Sequence, residues 1–115
     1  MDLSVAEAAE GAGRALIEPV LDRARTLTDQ GKTIDEHQVL TERVAYAATE
    51  ARAASETLAF VKALRAEGRS SELLELTAGA AIAELVSAAR GRLEPLVDEL
   101  GIGDAALEAT FPSAT

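Results

Sequence analysis

The feature that most restricts this chain is an unbroken apolar seam in its middle third. Leu40, Val44, Ala47, Ala51, Ala54, Leu58 and Val61 follow one another at spacings of 4, 3, 4, 3, 4 and 3 residues. That is the a/d period of a helix laid against other helices. No Gly or Pro interrupts the stretch from Thr33 to Glu67. Thr33 followed by Glu36 reads as a capping box at its start, and Gly68 suits the left-handed residue that ends a helix. The spacing predicts one helix about 50 Å long, too long for one short partner to bury.

The flanking segments predict shorter helices that fold back on it. In residues 14–30, Leu16, Val20, Ala24 and Leu27 lie on one stripe with Ile17 and Leu21 beside it. Pro19 either kinks this helix or marks its first turn after Glu18. Gly31-Lys32 is a very short link, which makes the first two helices antiparallel neighbours. After Gly68-Arg69-Ser70, Ser70 or Ser71 caps a third helix from about Glu72 to Leu100. There Ile82, Val86, Ala89, Leu93, Leu96 and Leu100 repeat at spacings of 4, 3, 4, 3 and 4. Gly79 and Gly91 weaken it, and Pro95 removes an internal hydrogen bond unless a new helix begins there. A short turn over 105–110, capped by Asp104 and ended by Phe111-Pro112, closes the pattern.

The expected fold is therefore all-α: an antiparallel bundle of three principal helices with a long central helix and a short C-terminal turn. Residues 14–111 form the bundle domain. Residues 1–13, where Gly11 and Gly13 offset a Ser4–Glu7 capping box, are expected as a flexible arm, and 112–115 as a disordered tail. Nothing alternates at the period of a strand.

Composition narrows the function. Twenty-five of the 115 residues are Ala, the strongest helix former but a minor contributor of buried area. The core must draw its energy from Leu, Val and Ile, with Ala47, Ala51 and Ala54 allowing close helix approach at the middle of the seam. The net charge is −9, concentrated in the first 31 residues and in 70–115, while 32–69 is neutral. Such a surface repels phosphate, so neither nucleic acid nor an anionic membrane is an expected partner. There is no Cys, hence no disulfide and no thiolate chemistry, which fits a cytoplasmic protein. The start lacks the basic and apolar regions of a signal peptide.

Catalytic and metal constellations are weak. Asp35-Glu36-His37 gathers ligand types, but consecutive helical residues point in different directions and the Glu-x-x-His spacing is missing, since position 34 is Ile. A solvated turn is expected there, with no metal. Asp98 and Glu99, near Glu94, read as a solvated face. The only His leaves no Ser/His/Asp set, and Gly101-x-Gly103 and Gly11-x-Gly13 follow no strand and lack a third glycine. The residues that carry the reading are packing residues: the seven of the seam, together with Tyr46, Phe60 and Leu64 on a second flank of the same helix. Two shorter helices leave that flank partly uncovered, so a homodimer or a partner helix is expected, in the first case antiparallel along the central helix with the acidic 70–115 segment turned away. A kink at Pro95 would instead bring the last turn, with Leu107 and Phe111, over the same strip.

The run Ile34-Asp35-Glu36-His37-Gln38-Val39-Leu40, continued by Arg43-Val44-Ala45-Tyr46-Ala47-Ala48-Thr49-Glu50-Ala51-Arg52-Ala53-Ala54, resembles the N-terminal helical extension of bacterial acyl-CoA dehydrogenase-like flavoproteins of the methylsuccinyl-CoA dehydrogenase type. Arg90-Gly91-Arg92-Leu93-Glu94-Pro95-Leu96-Val97-Asp98-Glu99-Leu100-Gly101 is similar to their linker region. The likeness spans roughly residues 14–111 and contains no catalytic motif. It implies a non-catalytic packing or oligomerisation module of an FAD-dependent system, with no catalytic or cofactor-binding residue in this chain and FAD only where a flavoenzyme body is joined to it. The alternative is a free-standing helical protein that homodimerises or binds a partner helix.

Overall fold

A computed structural model describes residues 3–110. They form an all-α fold. Three long helices come first: α1 (Ser4–Leu27), α2 (Gln38–Ala66) and α3 (Glu72–Leu93). Two short ones follow, α4 (Val97–Leu100) and α5 (Asp104–Glu108). The expected tail at 112–115 and the Phe111-Pro112 stop lie outside the described residues.

Cross-helix bonds fix the topology. Glu10 of α1 meets Ser55 of α2, and Glu7 meets Lys62, so these two helices run antiparallel. Arg92 pairs with Glu50 and Arg65 with Glu75, which makes α2 and α3 an antiparallel hairpin. α1 rests in the groove of that hairpin and packs on both helices. The body measures 49 × 29 × 16 Å. α2, at 29 residues and so about 43 Å, spans most of its length.

All seven seam residues are buried, and they are the only buried residues of α2. They are shared among three apolar clusters that follow one another along α2. Leu40, Val44, Ala47 and Ala51 pack with Leu16, Ile17 and Val20 of α1 and with Ala89, Leu93, Leu96 and Leu100. Ala54 and Leu58 pack with Ala6, Ile82 and Val86. Val61 closes the far end against Leu3 and Ala78.

The helix limits differ from expectation at both ends of α1, at the start of α2 and at the end of α3. α1 begins at Ser4, not at residue 14, and Leu3, Ala6, Glu10 and Gly13 are buried. The expected arm is docked because Gly13 lets the backbone come close to α3: a Cβ there would sit 3.1 Å from Val86 Cγ2. Burial thus outweighs the weak helix propensity of Gly11 and Gly13. α1 ends at Leu27, and Asp29, Gln30 and Gly31 all take positive φ in the turn. α2 begins at Gln38, after a single tight 3₁₀ turn over Ile34–His37. Thr33 sits at φ −110°, ψ 27° and caps nothing with its hydroxyl. A side-chain cap needs the extended backbone that Ser71 has, at φ −136°, ψ 160°, where its Oγ accepts from the Leu74 N–H at 3.1 Å. Pro95 does break the third helix: a 3₁₀ turn over Glu94–Leu96 separates α3 from α4. Pro19 lies inside α1 without ending it. Ala15, whose carbonyl Pro19 deprives of its N–H partner, is an exposed residue on the solvent side of α1.

Candidate functional site

Two buried carboxylates lock the helices. Glu10 accepts from Arg14 Nε at 2.7 Å and Nη2 at 3.2 Å, and from Ser55 Oγ on α2 at 2.7 Å. Glu75 accepts from Arg65 Nη2 at 3.0 Å and Nε at 3.3 Å, and from Ser70 Oγ at 2.7 Å. The hydrogen bond from Arg14 leads in holding Glu10 below its ordinary pKa against the opposing effect of burial, and Ser55 adds to it. For Glu75 the Ser70 hydroxyl leads, again against burial, with the Arg65 charge adding to it. Each carboxylate is ionised and held by a guanidinium and a hydroxyl. That arrangement pins helices together.

The Asp35-Glu36-His37 run, expected as a solvated turn, lies in the 3₁₀ turn before α2 with none of its residues buried. Asp35, Glu36 and His37 line a shallow, open depression of about 360 Å³ with Gln38, Val39, Leu40 and Glu99. Among the described residues, no three His, Cys, Asp or Glu side chains gather in a way that would hold a metal ion. No described helix is long and apolar enough to cross a membrane.

The outer face of the α2–α3 hairpin is different. On α2, Tyr46, Ala53, Phe60 and Leu64 recur at spacings of 7, 7 and 4 and so lie on one flank. Ser55 and Lys62 lie on the opposite flank, the one that reaches α1. On α3, Leu74, Ala81, Leu85 and Ala88 recur at 7, 4 and 3, in line with Arg92, which faces α2. The two stripes therefore border one apolar strip on the side of the hairpin away from α1. Tyr46 is 51% exposed and Phe60 58%. Leu64, Leu74, Ala81 and Leu85 are half-buried. At one end the Arg92 guanidinium lies 4.7 Å from the centre of the Tyr46 ring and is held there by Glu50.

Two expectations about this strip are corrected. α5 packs on α1, so Leu107 does not cover it. α3 lies beside α2, so residues 74–88 share the face, and the acidic segment does not turn away as a whole. The α3 half of the strip was missed in the sequence. Its signal is the second stripe at heptad spacing, displaced from the Ile82–Val86–Leu93 stripe that faces the core.

No protein-family model matches the chain, and no curated protein or solved structure does.

Proposed function

We propose that this chain is a non-catalytic helical packing and oligomerisation module that assembles through the outer face of its α2–α3 hairpin. The observation that carries the reading is the strip of Tyr46, Ala53, Phe60 and Leu64 with Leu74, Ala81, Leu85 and Ala88. It leaves two aromatic rings half in water along about 18 residues, or about 27 Å, of α2. Contiguous apolar surface of this kind marks an interaction site more often than bare solvent. At a width of about 10 Å, the distance between packed helices, it offers on the order of 300 Å². A stable pair buries about 800 Å² per partner. Self-association through the strip is therefore weak and concentration-dependent unless the rims add to it.

A second copy is the first partner the face fits. In an antiparallel pair about the midpoint of the strip, Tyr46 of one copy lies level with Leu64 of the other. Glu42 at one end then comes beside Arg69 at the other end of the second copy, an opposite-charge match that a parallel pair lacks. The opposing factor is a net −9 on each copy, so salt that screens this repulsion strengthens the pair. The wider system we assign is an acyl-CoA dehydrogenase-like flavoenzyme, supported by the sequence likeness of residues 34–54 and 90–101. Sedimentation equilibrium tests self-association. The flavoenzyme assignment is tested by sedimenting the chain with such an enzyme's body and following flavin absorbance. Flavin must move with the chain when the body is present, and must be absent from the purified chain alone.

A further inference from the structure

We propose that residues 3–12 act as a strap that unwinds from the α2–α3 groove as a unit, up to Gly13, while the rest of the bundle stays folded. The inference is independent of assembly through the outer face, because the strap lies on the opposite side of the hairpin.

The two halves of α1 are anchored very differently. The C-terminal half buries Leu16, Ile17 and Val20 in the main core. The N-terminal half buries two apolar side chains, Leu3 and Ala6, one of them a single methyl. Apolar burial stabilises in proportion to area, so the first half is held far more weakly. Gly11 and Gly13 sit between the halves, and each lowers helix propensity where the chain would have to break. Gly13 also lets the α1 backbone sit close to α3, where a Cβ would lie 3.1 Å from Val86 Cγ2. Besides Leu3, Ala6 and the apolar groove they cover, polar links hold the strap, among them the Ser55 hydroxyl on the Glu10 carboxylate and the half-exposed Glu7–Lys62 pair at 3.6 Å. The exposed Glu7–Lys62 pair is replaced by water on opening at small net cost, and the buried Ser55–Glu10 hydrogen bond is the costlier link. When the strap lifts, the groove residues Leu58, Val61, Ala78 and Ile82 lose their cover. Local opening of weakly anchored segments below the global unfolding free energy is general in folded proteins.

Native-state hydrogen exchange of the full chain, read residue by residue by NMR, tests this with two variants. The amides of residues 8–12 are expected to share one protection factor, at least about tenfold below those of residues 44–61. Gly11→Ala, whose added methyl meets only Arg14 Nη2 at 3.9 Å, slows exchange in 8–12 about fivefold. Leu93→Ala weakens the main core, so it speeds exchange in 44–61 and leaves 8–12 unchanged. Three results overturn the strap. Equal protection in both segments, moving together in Leu93→Ala, means one cooperative unit. A smooth gradient from residue 13 back to residue 7 is ordinary end-fraying. No protection anywhere overturns the fold along with the strap.

Discussion

Leu93→Ala removes the side chain where the three long helices and the C-terminal turns meet. Leu93 is 0% exposed and packs in the cluster that joins Leu16, Ile17 and Val20 of α1 to Leu40, Val44 and Ala47 of α2. Ala47 and Ala51, which α2 places in the same cluster, have no side chain long enough to refill the space. The site therefore belongs with those that collapse poorly, and the expected loss is about 3–4 kcal/mol. A domain of this size is stable by about 5–15 kcal/mol, so a large share of the total goes. At about 4 °C per kcal/mol the midpoint falls by about 12–16 °C. Leu73→Ala, in the first turn of α3 and 76% exposed, removes the same atoms and changes stability by less than about 0.5 kcal/mol. Urea and thermal melts followed by circular dichroism measure both. A Leu93→Ala loss under about 1 kcal/mol, or an equal loss in Leu73→Ala, would refute the placement of the core.

Ser71→Ala is expected to cost about 1 kcal/mol, because it deletes the hydroxyl that accepts from Leu74 N–H. Thr33→Ala, at a position whose hydroxyl caps nothing, stays within about 0.5 kcal/mol in the same melts; equal losses would contradict the limits of α2. Glu10 and Glu75 are both held below the ordinary carboxylate value of 4.5. Their contribution is full above that value and is lost as pH falls through their lowered folded values. Stability thus declines as the solution is acidified below about pH 4.5. The pair of substitutions Glu10→Gln and Glu75→Gln makes that decline shallower, and an unchanged acid slope in the double variant would remove both carboxylates from the account.

The long-range order of this fold was legible where one physical rule decides it. A 4-3 seam without Gly or Pro has one way to bury itself, and Leu40 to Val61 are buried residue for residue. The stop signal Gly68 was legible for the same reason, since a positive φ acts locally, whereas the third helix was expected to reach Leu100 and ends at Leu93 ahead of Pro95. Capping was not. Thr33-x-x-Glu36 and Ser71 look alike as sequence, and the difference is a backbone angle set by the turn that precedes each. The docking of residues 3–13 was hidden because their propensity is poor and their reward, contact with Val61, Ala78 and Ile82, lies on other helices. The Arg14–Glu10 spacing is visible in the sequence, but its partner Ser55 is 45 residues away. The candidate face was half legible: the α2 flank stood out by its aromatic residues, whereas the α3 flank is Leu and Ala among many others.

The most direct test of assembly through the hairpin face is sedimentation equilibrium of the wild-type chain and Phe60→Glu, up to about 1 mM, where an association of about −4 kcal/mol is half-populated. Phe60 is more than half exposed, so the variant keeps its melting curve and reports on the face alone. The wild-type mass is expected to rise above 12.0 kDa with concentration, and more steeply with added salt, while Phe60→Glu stays at the monomer mass. A 12.0 kDa monomer for both chains at every concentration and salt would contradict it.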